Sequence, residues 1–127
     1  MTWLIAAFLI AHGAVHLAVW LPPPPTDDEH QAPFAPDHSA LLTRTRVPQA
    51  TSHRVAVRLA GAAAVLYVVA GLAVALGSVW AVTLAVAAAI VGLALKVLYF
   101  NPWLTLGILL DAGVLSAALL SWPVGLA

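Results

Sequence analysis

The chain contains no cysteine, and its single methionine is Met1. Disulfides, thiolate metal ligands and thiol catalysis are therefore excluded, and so is a methionine-lined copper path. Charge is also scarce, because 8% of the 127 residues are charged, against roughly 25% in soluble domains. The formal net charge is zero, so no positive excess favours nucleic acid as a partner. The sequence shows no phosphate loop, nucleophile elbow or HExxH pattern, which points away from an enzyme.

Apolar residues make up 63% of the chain and are gathered into four long runs. These runs predict helices over about 2–21, 55–76, 79–100 and 103–122. Each is close to the ~20 residues that cross a hydrocarbon core of about 30 Å. A spanning segment must satisfy its backbone hydrogen bonds internally, which favours helices over strands. The sequence therefore predicts an all-α integral membrane protein, a single transmembrane domain over 1–127 folded as a four-helix up-down bundle.

Proline and glycine mark the connections between these runs. The prolines at 22–25 end the first run, Gly77 and Ser78 form a tight turn, and Asn101-Pro102 separates the last two runs. Proline lacks an amide donor, so it interrupts a helix or begins one. The long polar stretch over 22–54 is rich in proline. It predicts an extended loop with a short surface turn near 38–43.

All five basic residues fall on one side of the predicted bundle. Arg44, Arg46 and Arg54 lie in the loop, Arg58 begins the second long helix and Lys96 lies near the end of the third. Positive residues favour the cytoplasmic side, which places both termini outside the cell membrane. Arg58 and Lys96 are cytoplasmic-side charges whose long side chains are expected to reach the headgroups.

The positions of the aromatic residues predict the same arrangement of four membrane-spanning helices. Most lie at predicted helix ends, where rings favour the headgroup level: Trp3, Trp80 and Trp122 at the outer ends, and Trp20, Tyr99 and Trp103 at the inner ends. Among the tryptophans and tyrosines only Tyr67 falls in the middle of a span.

Three ionisable residues lie where lipid disfavours them. His12 and His16 are four residues apart, so they share one face of the first helix. Asp111 falls near the middle of the last helix, at about the depth of His12. An unpaired carboxylate at that depth costs ~2.5–3.5 kcal/mol or more. We therefore expect Asp111 to meet these histidines, with the first and last helices adjacent.

This buried cluster has several possible roles. Four alternatives are open. The cluster acts as a structural hydrogen-bonded link between helices, as a metal site with His12, His16 and Asp111 as ligands, as a proton or solute path, or as a pocket for a quinone. The sequence does not decide whether the cluster binds a cofactor, for which the candidates are a divalent metal ion and a quinone. A haem within one monomer is disfavoured, because two histidines on one helix face cannot bind both faces of the ring.

The run His12-Gly13-Ala14-Val15-His16-Leu17 resembles the His-Gly-x-x-His-Leu pattern of a group of small uncharacterised bacterial four-helix membrane proteins. Members of that group tend to carry a polar residue inside the last helix. The resemblance implies the same fold over the whole chain and draws attention to His12, His16 and Asp111. It implies no reaction.

The leading hypothesis is a non-enzymatic multi-pass membrane protein, an accessory subunit or a self-assembling bundle. Its partners would be the lipid bilayer and either other membrane subunits or copies of itself. The alternative is a small redox-linked or transport component that binds a metal ion, a quinone or protons at the buried cluster.

Overall fold

The computed structural model describes residues 1–21 and 38–121, and these are helical with no strand among them. The helices are α1 (Thr2–Trp20), α2 (Ala40–Arg44), α3 (Gln49–Ala75), α4 (Ala81–Leu98) and α5 (Thr105–Leu119), the last preceded by a 3-10 turn, Pro102–Leu104. Four of them, α1, α3, α4 and α5 with its leading turn, are long and apolar enough to cross a membrane. The predicted all-α, four-helix membrane fold is confirmed.

The four long helices pack in chain order, α1 along α3, α3 along α4, and α4 along α5. The outer members of this row, α1 and α5, share few backbone contacts in the described part of the chain. One end of the bundle carries α2, Trp20 and Tyr99, and we call it the loop end. The other carries Gly77 and Ser78, and we call it the turn end.

Two glycines allow α1 and α3 to approach closely. A Cβ atom at Gly13 would lie 2.9 Å from the carbonyl oxygen of Ala64. A Cβ atom at Gly71 would lie 2.8 Å from the carbonyl oxygen of Ala6. Such small residues bring membrane helices into the range where dispersion forces hold them. Because Gly13 meets the middle of α3 and Ala6 meets its later part, the two helices run antiparallel.

Much of the described part of the predicted loop, 38–54, is helical rather than extended, and α2 lies where a short surface turn was predicted near 38–43. Helix α3 already begins at Gln49, where the carbonyl of Pro48 accepts hydrogen bonds from the amides of Thr51 and Ser52 at 2.9 and 3.0 Å. Immediately before α2, the Ser39 hydroxyl accepts from the amide of Leu42 and donates to the carbonyl of Leu98 at 2.5 Å. The latter bond fastens the loop to the end of α4. The prediction for residues 22–37 lies outside the described residues.

Two rings of the expected aromatic belt are buried inside the protein. Trp3, Trp80 and Trp103 are exposed, as residues at a lipid headgroup level would be, but Trp20 and Tyr99 are 1% and 2% exposed. Their rings pack edge to face at 5.5 Å, and the Tyr99 hydroxyl donates to the carbonyl of Ser52. Leu42 of α2 packs against the same cluster. The loop therefore covers these rings, which spacing along one helix could not reveal. Trp122 lies outside the described residues.

Candidate functional site

Asp111 is the centre of a buried polar network. Its side chain, in the middle of α5, is 0% exposed and accepts three hydrogen bonds. Oδ1 accepts from Nε2 of His12 at 2.6 Å and from the Tyr67 hydroxyl at 2.7 Å. Oδ2 accepts from Nζ of Lys96 at 2.6 Å. Donors from all three other long helices thus converge on one carboxylate.

The second histidine is tied to the network through Lys96. Nδ1 of His16 lies 3.0 Å from the carbonyl oxygen of His12, which only accepts, so this nitrogen carries the proton. Its Nε2 then holds a lone pair and accepts from Nζ of Lys96 at 2.8 Å. His12, His16, Tyr67, Lys96 and Asp111 form one connected unit, which we call the polar network.

We assign the charges of the polar network from its bonding pattern. Asp111 accepts from three donors, which is the behaviour of an ionised carboxylate. The Lys96 ammonium donates to it and balances its charge. A second cation in this apolar interior would be uncompensated and costly. We therefore assign both imidazoles as neutral, with the proton of His12 on Nε2, which lies 2.6 Å from Asp111 Oδ1.

Two glycines make room for the ion pair. A Cβ atom at Gly92 in α4 would lie 2.5 Å from Oδ2 of Asp111. A Cβ atom at Gly107 in α5 would lie 2.6 Å from Cε of Lys96. Each glycine stands four residues before the charge on its own helix, so Gly92-x-x-x-Lys96 faces Gly107-x-x-x-Asp111. Each charged side chain therefore packs over the glycine of the opposite helix.

Aromatic rings enclose His12. The Phe8 ring stacks on it with centroids 5.7 Å apart and an angle of 9° between planes. Tyr67 meets it edge to face at 4.7 Å, and His16 does so at 5.0 Å. Rings on three sides hold the imidazole in the orientation that aims Nε2 at Asp111.

Apolar clusters lie on both sides of the polar network along the bundle. Toward the loop end, Trp20, Leu95, Tyr99 and Leu104 pack together with alanines of α3. Toward the turn end, Leu9 and Val74 pack among buried alanines. The network is therefore enclosed along the bundle axis, with no continuous row of polar side chains to either end in the described residues.

The predicted meeting of His12 and Asp111 is confirmed by their 2.6 Å contact, and His16 lies in the same cluster. The expected close packing of the first and last helices is not observed, since α1 and α5 share few backbone contacts and the side chains bridge the separation. Arg58 is exposed and takes no part. The expectation that Lys96 reaches the headgroups is wrong, since Lys96 is 5% exposed and its ammonium binds His16 and Asp111.

Sequence reasoning missed two members of the network, Tyr67 and Lys96. Tyr67 carried a signal, because it was the one tyrosine or tryptophan in the middle of a span. A buried tyrosine hydroxyl needs an acceptor, and Asp111 was the available carboxylate at that depth. For Lys96 the signal was the pair of glycines spaced four residues before Lys96 and Asp111.

The candidate metal ligands form a compact set that also binds Lys96. One ligand atom from each of His12, His16 and Asp111 lies within 4.8 Å of the others, a compact donor set. The Lys96 ammonium, however, is bonded to both His16 Nε2 and Asp111 Oδ2. A divalent cation beside it would add positive charge to an already neutral site. Lys96 therefore competes with a metal ion for two of these three side chains.

No protein-family model, curated protein or solved structure matches this chain.

Proposed function

We propose that this protein is a non-enzymatic multi-pass membrane component, an intramembrane scaffold in which the polar network locks four spans into one unit. The proposal rests on one observation, that the side chains of the polar network bind one another. In the described residues, every fully buried side-chain nitrogen or oxygen has a hydrogen-bond partner. A transport or catalytic site keeps groups available for a solute, whereas these side chains satisfy one another.

Burial of the spans supports association with other membrane helices. The window of α5 is 11% buried, against 28% for α1 and 39% each for α3 and α4. Leu106 and Leu109 of α5 are exposed. Of the four spans, α5 therefore has the largest exposed share, and this surface is available to lipid, to a partner subunit or to a second copy of the chain.

The loop end faces the cytoplasm in this proposal. Arg44, Arg46, Arg54 and Arg58 are exposed in or beside that end, and basic residues there favour cytoplasmic placement. The cysteine-free sequence permits a direct test. Val79→Cys at the turn end should react with a membrane-impermeant maleimide in intact cells, and Ala50→Cys only after permeabilisation. The reverse pattern would overturn the orientation.

The scaffold role is tested by proton flux. Protein reconstituted into liposomes that contain a pH-sensitive dye should equilibrate an imposed pH gradient no faster than protein-free liposomes. The double variant Lys96→Met/Asp111→Leu is the matched control, because it removes the charges together. Flux that is present in the unmodified protein and absent in the double variant would contradict the scaffold and favour a proton path.

A further inference from the structure

The exposed charge of the protein is concentrated at the loop end. A cleft of about 300 Å³ lies between α1 and α5 at the turn end, and its lining in the described part of the chain carries no charged side chain. Lys96 and Asp111 are buried in the polar network. With histidine counted as neutral, the exposed charged side chains of the described residues are four arginines in or beside the loop end: Arg44, Arg46, Arg54 and Arg58. Two of these, Arg54 and Arg58, belong to the membrane-spanning helix α3.

Arg54 and Arg58 lie on the outward face of α3. They are four residues apart, so they share one side of the helix. The exposed positions continue along the same side as an apolar row, which we call the α3 stripe: Ala62, Val65, Val69 and Leu72. Helix α3 packs against α1 and α4, and the stripe is the side that neither of them covers. The two arginines and the α3 stripe therefore form one continuous exposed surface.

The length of α3 places these arginines at the edge of the hydrocarbon. Its 27 residues measure about 40 Å at ~1.5 Å per residue, whereas the hydrocarbon core is about 30 Å thick. With Ala75 at the turn-end edge of that core, about 20 residues cross it and reach Ala56. Arg54 then lies just outside the hydrocarbon, and Arg58 begins about 3 Å inside it. Lipid disfavours a charge at that depth, so the long Arg58 side chain extends to the headgroup layer.

Neither arginine has an anionic partner within residues 1–21 and 38–121. The only carboxylate side chain there belongs to Asp111, which is buried and paired with Lys96. Nε of Arg54 donates to the carbonyl of Ala50 at 3.2 Å, and this bond directs the guanidinium toward the start of α3. Arginine carries five N–H donors, so the terminal nitrogens of Arg54 remain to bind an anion. The surface thus combines positive charge at headgroup level with apolar side chains below it.

We propose that Arg54 and Arg58 bind the phosphate of one anionic phospholipid whose acyl chains lie along the α3 stripe. The guanidinium fork matches phosphate oxygens and donates to them in pairs. From Arg58 to Val69 is about 16 Å along the helix, which is about half of the hydrocarbon thickness. The acyl chains of one leaflet therefore cover the stripe to that depth. This site goes beyond the scaffold role and does not depend on it.

The test compares two lipids that differ only in the headgroup. Native mass spectrometry of the full chain, released from detergent micelles, measures the binding of dioleoyl phosphatidylglycerol and of dioleoyl phosphatidylcholine. The first molecule of phosphatidylglycerol should bind at least about tenfold more tightly, because each of two basic side chains near an anionic headgroup adds a factor of about five. In the Arg54→Gln/Arg58→Gln variant the two lipids should bind about equally.

A second double variant separates this site from diffuse positive charge. Arg44→Gln/Arg46→Gln removes the same charge from the same end of the bundle, but from the end of α2 and the turn that follows it. It should keep most of the preference for phosphatidylglycerol. The ammonium salt of glycerol phosphate is the soluble competitor, and it should not displace the lipid, because it lacks the acyl chains that cover the α3 stripe.

Three results would overturn the proposal: equal binding of the two lipids by the unmodified protein, displacement of phosphatidylglycerol by glycerol phosphate, or a loss of preference in the Arg54→Gln/Arg58→Gln variant no larger than in the control variant. The first would favour pairing of these arginines with the acidic residues of 22–37, and the last would indicate diffuse charge. Circular dichroism checks that both variants remain helical. Each of these outcomes leaves the scaffold role to be tested by the liposome assay.

Discussion

The two halves of the bundle are packed from different residues. The loop-end half contains large side chains, Trp20, Leu95, Tyr99 and Leu104, and it is covered by α2. The turn-end half is packed largely by alanines of α1, α3 and α4, and it contains the cleft between α1 and α5. The polar network lies where these halves meet.

This difference shows how the chain places an ion pair inside lipid. Alanine and glycine allow helices to approach, but they fill little volume and leave a gap where α1 and α5 part. At the loop end, large side chains fill the interior instead, and they separate the ion pair from water and headgroups on that side. Stability is therefore expected to depend strongly on the polar network and only weakly on the walls of the cleft.

The largest effect is expected from Asp111→Leu. The substitution leaves the Lys96 ammonium buried and unpaired and removes the acceptor of His12 and Tyr67. The expected loss in the free energy of unfolding is about 3–5 kcal/mol. It is measured by SDS-driven unfolding in mixed micelles, followed by tryptophan fluorescence.

Two controls sharpen this prediction. The double variant Lys96→Met/Asp111→Leu should recover most of the loss, because replacing a complete buried ion pair by apolar groups is often near neutral. Val82→Ala, at the half-buried wall of the cleft, should cost less than about 1.5 kcal/mol. If the cleft variant were the more damaging, the contrast between the two halves would be wrong.

Lys96→Met should convert the polar network into a metal site. It frees His16 Nε2 and Asp111 Oδ2 and leaves one uncompensated negative charge beside a compact donor set. Added Zn²⁺ should raise the melting temperature of this variant by several degrees, the effect of a ligand that binds the folded state. The unmodified protein should not respond. An equal response in both would show that Lys96 does not exclude the ion.

Gly92→Ala should be destabilising by about 1–3 kcal/mol, the usual cost of overpacking. Its methyl group would lie 2.5 Å from Oδ2 of Asp111, and that carboxylate is 0% exposed and held by three donors. Gly61→Ala, with open space around it, should instead gain up to about 1 kcal/mol from higher helix propensity. The same SDS titration compares them, and a stable Gly92→Ala protein would contradict the tight fit.

Tyr67→Phe should give the smallest change. It removes one of the three hydrogen bonds to Asp111 and leaves the ring and both remaining donors in place. Interhelical hydrogen bonds in membranes average about 0.6 kcal/mol, so a loss near that value is expected in the unfolding titration. A loss as large as that of Asp111→Leu would show that Tyr67, rather than Lys96, is the main partner of the carboxylate.

The fold could be predicted from sequence because lipid imposes a simple rule on helix length and polarity. The contact between His12 and Asp111 could be predicted for the same reason, since few groups at that depth can pair with a carboxylate. The burial of Lys96 could not be predicted from its position near a helix end. A lysine there usually reaches the headgroups, and its inward path depends on the space that Gly107 provides on another helix.

The loop end was less predictable for a related reason. The positions of Trp20 and Tyr99 at helix ends favoured the headgroup level, but the burial of their rings depends on cover supplied from elsewhere in the chain. That cover comes from α2, which is attached through the hydrogen bond of Ser39 to Leu98. Contacts between distant segments of this kind leave no periodic pattern in the sequence.

The ion pair also bears on how the protein enters the membrane. Lys96 and Asp111 are 15 residues apart, on consecutive helices joined by a short turn. A helical hairpin of α4 and α5 can therefore neutralise its own charges without α1. Insertion of this hairpin as a unit would carry a paired carboxylate, rather than a bare one, into hydrocarbon.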